Sequence, residues 1–268
     1  MRTIQRIHNI KSFCLYLRIK YLFNFNITIM KTKLIYLFAL IAIIASACVK
    51  EDDELVKEVP KEIIRTKLDS VLYPQIVDRF PDKTDATFKY PTLFTDTIQK
   101  RIVLTDSSEV YITFVSENAL YKNTVGWYSY NIANPPKNAE DINLQILFPN
   151  VSLKGEGGEL FQGDMLQLGN KKFPKGTVIG FFLIVKGWNN GTINYGNPTL
   201  FTDPILNSNE SQHHILFKEK QGKNIILGFE DMSIEKADKD YNDLLFIISD
   251  NKNGYESIYF DLNKIPRL

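Results

Sequence analysis

Between Leu227 and Ile248 the chain reads LGFEDMSIEKADKDYNDLLFII, and six of its side chains carry hard oxygen donors: Glu230, Asp231, Asp238, Asp240, Asn242 and Asp243. Apolar runs bracket them, Ile225-Ile226-Leu227 before and Leu244 to Ile248 after. Two strands joined by this loop would gather several carboxylates. Such a cluster repels itself unless it meets solvent, basic partners or a cation, and an all-oxygen donor set suits Ca²⁺ best. The loop is therefore expected to bind Ca²⁺. It is not an EF-hand. Asp238-x-Asp240-x-Asn242 has the right opening spacing, but Asp243 stands where the sharp turn needs glycine and Ser249 where a bidentate glutamate is needed. Two features weigh against a metal: an Asx-rich turn could use the same side chains to cap backbone N–H groups, and Lys236 and Lys239 could neutralise part of the charge. Glu117, Asn118 and Asp164 are candidate remote ligands.

Other chemistries find less support. His213 and His214 are adjacent, so on a strand they point to opposite faces and cannot easily chelate one ion together. No Gly-x-Ser-x-Gly occurs, and neither histidine has a recognisable nucleophile partner. Glu230 with Asp243 could serve as a glycosidase pair only across a cleft, and here the carboxylates cluster instead. Gly155-Glu156-Gly157-Gly158 lacks the Lys-Ser/Thr and helix of a phosphate loop. Trp127, Tyr128, Tyr130, Trp188 and Tyr195 could stack on sugar rings, although such residues more often pack a core. Trp188, beside Asn189-Asn190-Gly191, is the candidate exposed ligand-binding aromatic.

The elements that must position these groups are strands. Residues 101–104, 109–115, 125–130, 144–148, 165–168, 177–185, 215–217, 224–229, 244–248 and 257–260 are rich in β-branched and aromatic residues and are separated by turn clusters. Asn189-Asn190-Gly191 is a hairpin signal. Ile63, Ile64, Leu68, Val71 and Leu72 fall near a helical period, which predicts a short helix between Pro60 and Pro74. The fold class expected is all-β, an antiparallel β-sandwich or jelly roll with a short N-terminal helix.

The N-terminus carries export signals. Met30-Lys31-Thr32-Lys33, the twelve apolar residues Leu34 to Ala45 and then Ala45-Ser46-Ala47 form the three regions of a signal peptide. The apolar run is too short for a membrane span, which needs ~20 residues. Cys48 directly after Ala-Ser-Ala resembles the lipobox of bacterial lipoproteins, which implies a lipidated Cys48, with Ala45 standing where leucine is usual. Residues 1–29 are then an upstream extension outside the mature protein, 30–47 the signal peptide, 48–99 an acidic tether with a short helical and loop segment, and 100–268 the β-sandwich domain. Lys50-Glu51-Asp52-Asp53-Glu54 resembles the surface-export signal of Gram-negative lipoproteins, which implies a lipid-anchored protein on the outer face of the outer membrane. Seven of the 32 basic residues and none of the 31 acidic ones precede Cys48, so the mature chain has 25 basic residues and a net charge of −6. That balance argues against nucleic acid as a partner. The two cysteines are Cys14 and Cys48, so the folded part can form neither a disulfide nor a thiolate zinc site.

Tyr111 to Ala119, Lys122 to Tyr128, Phe148-Pro149-Asn150, Gly163-Asp164, Gly180 to Leu183, Gly228 to Asp231 and Asp240 to Asp243 follow one another in an order that resembles the domain of unknown function 4114 family, related to LruC-type domains of bacterial surface lipoproteins, over about residues 105–250. The resemblance implies an exported β-rich module with an acidic motif suspected of binding calcium, and no enzymatic activity. The expected function is adhesion or binding of an extracellular glycan or protein, with the membrane met only through the lipid anchor. The alternative is a carbohydrate-active enzyme or an accessory subunit of a glycan-capture complex.

Overall fold

The computed structural model describes residues 62–268, apart from positions 221 and 223; the signal peptide, Cys48 and the acidic tether lie outside the described residues. No helix among the described residues is long and apolar enough to cross a membrane. The described residues hold thirteen strands: β1 (Ile64–Arg65), β2 (Ile102–Val103), β3 (Tyr111–Glu117), β4 (Thr124–Asn131), β5 (Gln145–Phe148), β6 (Asp164–Gln167), β7 (Thr177–Ile184), β8 (Trp188–Asn189), β9 (Thr192–Ile193), β10 (Thr199–Phe201), β11 (His214–Lys218), β12 (Ile225–Phe229) and β13 (Leu244–Ser249). Two short helices, α1 (Leu72–Val77) and α2 (Ala86–Lys89), precede β2.

The strands form an all-β sandwich. One sheet runs β1-β6-β3-β13-β12-β11; the other runs β10-β7-β4-β5, with β2 also pairing with β7. Every paired strand is antiparallel. Between the sheets, Ile112, Phe114, Leu227, Phe246 and Ile248 of the first meet Val125, Trp127, Phe148, Phe181 and Leu183 of the second. Side chains alternate along a strand, so the intervening Val115, Ile226, Leu245 and Ile247 belong to the opposite face. That outer face is covered by Leu68, Leu72, Ile76, Phe80, Ala86 and Leu93 from the segment holding the two helices. Both faces being covered explains why β12 and β13 read as unbroken apolar runs, each large side chain contributing about 1.5–3 kcal/mol on burial.

Two expectations are corrected. The helix does not lie between Pro60 and Pro74: Ile64 and Arg65 pair with Met165 and Asp164 as β1, and the helix starts at Leu72. Pro74 sits in its first turn, where a missing N–H costs no intrahelical bond. Residues 257–260 form no strand; Phe260 makes one isolated bridge, to Leu104. The Asn-Gly hairpin is present between β8 and β9, with Asn190 and Gly191 at φ of 46° and 93°, the left-handed pair that a tight hairpin turn requires.

Candidate metal centre

β12 and β13 are adjacent, with Phe229 opposite Leu244, so Glu230 and Asp231 leave β12 beside Asp243, which enters β13. Gly228 permits the return of the loop: a Cβ there would lie 2.6 Å from the carbonyl oxygen of Tyr241. Tyr241 and Lys239 take left-handed backbone at φ of 57° and 63°, which turns the loop sharply without glycine. The Tyr241 hydroxyl donates to the Gln212 carbonyl at 3.1 Å and its ring packs on Phe94, which anchors the bend.

The six acidic and amide residues do not form one set. Glu230, Asp231 and Asp243 each offer a carboxylate oxygen, all within 4.8 Å of one another. Asp238 and Asp240 form a second group under the same limit, together with Asp82 from the turn after α1. Asn242 stands between them and is already engaged: its amide donates to the Phe80 carbonyl at 2.8 Å and accepts from Asn118 at 3.2 Å.

The first group is the deeper. Glu230 and Asp231 are 2% and 3% exposed. Asp231 accepts a hydrogen bond from the Asn123 amide at 2.7 Å, and its own N–H donates to Asp243 at 2.7 Å. Glu230 Oε2 is buried and has no hydrogen-bond partner. Burial first, and then the neighbouring carboxylates, push the Glu230 and Asp243 carboxyls well above the usual carboxylate range, and burial also raises Asp231. Neither Lys236 nor Lys239 makes a salt bridge to these groups among the described residues.

The second group is largely satisfied by backbone. Asp240 accepts from the Lys83 N–H at 2.8 Å and the Asn242 N–H at 3.1 Å, and Asp82 pairs with the exposed Lys83 ammonium at 3.1 Å. Its Asx-type contacts are those of a turn, whereas the first group has the chemistry of a cation site with three converging oxygens. A divalent cation at Glu230 Oε2 would supply the partner that atom lacks, and these residues fit the hard-oxygen preference of Ca²⁺.

Among the remote candidates, Glu117 lies at the end of β3 opposite Leu244, accepts from the Leu153 N–H at 2.9 Å and is raised chiefly by burial. Asn118 touches both Asn242 and Asp82. Asp164 belongs elsewhere, paired with Arg65 at 3.3 Å. The two histidines do diverge: His213 Nε2 meets Ser211 Oγ at 2.8 Å, and His214 Nε2 meets the Lys100 carbonyl at 2.9 Å. Trp188 is half-buried, Trp127 and Tyr128 are buried, and Tyr195, 67% exposed, is the open aromatic of that set. Asp82 and Asn123 were not singled out from the sequence. Pro81-Asp82 reads only as turn chemistry, and the Lys122-Asn123-Thr124 run carried the family resemblance without a role for its amide.

An all-β sandwich with an acidic centre between two core strands is thus the class that fold and site define. Residues 173–251, from the approach to β7 through the acidic loop and β13, match the family model described as domain of unknown function (DUF4114). The match begins later than the 105–250 span of the resemblance, so the motifs on β3 and β4 fall outside it. No curated protein and no solved structure matches the chain.

Proposed function

We propose that this chain is a lipid-anchored binding module on the outer face of the outer membrane, stabilised by Ca²⁺ at Glu230, Asp231 and Asp243, and that it serves adhesion or capture of an extracellular partner rather than catalysis. The observation that carries the reading is the buried, unpartnered Glu230 Oε2 beside two further carboxylates. A glycosidase pair holds its carboxyl groups about 5–9.5 Å apart across a substrate. Here three oxygens converge within 4.8 Å on the same strand ends, which favours a cation between them. The apolar leader and Cys48 support the anchor.

The test is calcium-dependent melting. Ligand at 100 times its Kd stabilises the native state by about 2.7 kcal/mol. For a domain of this size that corresponds to a rise of about 5–10 °C. No rise with millimolar Ca²⁺ would overturn the metal. Replacing Cys48 with Ala should move the protein from the membrane fraction to the soluble one.

A further inference from the structure

The two ends of the sandwich differ in charge. β3 runs from Tyr111, opposite Ser249, to Glu117, opposite Leu244 and so beside the metal centre. Six residue steps put those ends about 20 Å apart. β1 runs the same way as β3, because both pair antiparallel with β6. The residues leading into β1, from Glu62, therefore lie at the end far from the metal, beside the close of β6 at Gln167. From Gln167 the chain enters the loop Asn170-Lys171-Lys172-Phe173-Pro174-Lys175-Gly176, which has three lysines and no acid. We propose that this loop docks on an anionic lipid surface, that of the membrane holding the Cys48 anchor, so that the metal centre points outward. The inference rests on the reading of the chain as a lipid-anchored module and gives it a second contact with the membrane.

The loop is built to present its charge. Phe173 exchanges backbone hydrogen bonds with Ser108 at 2.8 and 3.0 Å, and its ring meets Trp127 edge-on. Pro174 to Thr177 closes a turn in which the Thr177 N–H donates to the Pro174 carbonyl at 3.2 Å. Gly176 holds the third position at φ 79°, as a type II turn requires, and Lys175 stands at the tip. Lys171, Lys172 and Lys175 are exposed and make no salt bridge among the described residues. The acids of the facing loop are used locally: Asp106 accepts from the Ser107 N–H and Glu109 from the Tyr111 hydroxyl, each at 2.7 Å. Ile132, 53% exposed, adjoins the same turn through its N–H to the Gly176 carbonyl at 2.9 Å. Lysines beside an exposed apolar side chain suit the boundary between headgroups and acyl chains.

Charge and chain length both select the lipid. At the metal end Glu230, Asp231, Asp238, Asp240 and Asp243 outnumber Lys236 and Lys239, so an anionic surface repels that end and attracts the other. The fourteen steps from Cys48 to Glu62 span at most about 50 Å, which keeps the basic loop near the anchoring surface at high effective concentration. An acidic protein is the poorer occupant, because it would have to enter between the domain and its own membrane.

The experiment reconstitutes the full chain in vesicles of phosphatidylcholine, with or without phosphatidylglycerol, in the presence of chelator. A donor fluorophore is placed on Ser107→Cys, beside the basic loop, or on Leu120→Cys, at the metal end, and an acceptor dye in the lipid. The folded part has no other thiol. With phosphatidylglycerol, energy transfer should be stronger from position 107 than from 120. Lys171→Glu/Lys172→Glu/Lys175→Glu should erase the difference, and Lys83→Glu/Lys122→Glu/Lys236→Glu at the metal end should leave it. Equal transfer from both positions, a difference as large in phosphatidylcholine alone, or one indifferent to the loop lysines would each overturn the proposal. The Cys48→Ala chain separates the anchor from the loop: it should still sediment with phosphatidylglycerol vesicles, tenfold or more weakly once the three loop lysines are reversed. Such sedimentation by a chain that never fractionates with membranes would sink the anchor and leave the docking loop standing. A firmly anchored chain with equal transfer would do the opposite.

Discussion

Two buried acidic sites in this sandwich solve the same problem differently. Asp203, after β10, is 2% exposed and is surrounded by the protein's own donors: the hydroxyls of Tyr128 and Tyr130 at 3.0 Å and the Arg101 guanidinium at 3.0 Å. Glu230 and Asp231 are as deeply buried and Asp243 is half-buried, yet the nearest ionisable partners of Glu230 are other carboxylates, and one of its oxygens has no donor at all. A buried carboxylate costs several kcal/mol unless paired and hydrogen-bonded. The first site is complete within the chain; the second is complete only with a cation or with protons. One is framework, the other a point where solution conditions enter the fold.

The comparison can be broken most sharply at Asp203. Asp203→Ala strands the buried Tyr128 hydroxyl and removes the carboxylate that Tyr130 and Arg101 share, so it should cost about 3 kcal/mol, by analogy with other disrupted buried pairs. Chemical denaturation should find that loss equal with and without Ca²⁺. Asp243→Asn is the converse. It should abolish the calcium-induced rise of about 5–10 °C, read by differential scanning calorimetry in calcium and in chelator.

The pH dependence separates the sites further. Glu230 is raised to about 7 and Asp243 to about 9, above their unfolded values, so the native state prefers their protonated forms. Their contribution is fully present below the unfolded carboxylate pKa, about 4, and is lost as pH rises through about 7 and about 9. The metal-free protein should therefore melt progressively lower between pH 5 and 9, on the order of a few degrees, and saturating Ca²⁺ should flatten the curve. Glu230→Gln should raise the metal-free melting temperature at pH 8 by about 2–4 °C, equivalent to about 1 kcal/mol, by removing one charge from the cluster. A lower value would mean the carboxylate is needed as an acceptor.

The smallest expected effect is at Asp82. Its carboxylate is exposed and already beside Lys83. Asp82→Ala should change stability by less than about 0.5 kcal/mol and leave the calcium response intact. A calcium response lost in this variant would move the metal to the second group.

Much of this architecture was legible because its signals are local. Alternating or unbroken apolar runs placed β3, β4, β7, β12 and β13, and Asn190-Gly191 placed a hairpin, since strand and turn chemistry is written within a few residues. β1 and β10, of two and three residues, escaped because neither is long enough to show a period; each exists only because a partner strand, β6 or β7, holds it. Glu230, Asp231 and Asp243 could be named together because they sit at facing ends of one antiparallel pair.

Tertiary structure decided the rest. It divided the acidic loop into a deep group in which Glu230 Oε2 has no hydrogen-bond donor and a shallow group served by the backbone of residues 80–83, more than 150 positions away in sequence. It laid the segment holding α1 and α2 over the outer face of the sheet, turning part of the expected tether and loop segment into core. No spacing in a linear chain encodes which carboxylate will find an amide and which will not. That depends on the packing of two faces and on the left-handed turn at Tyr241, which leave Glu230 Oε2 buried without a hydrogen-bond partner.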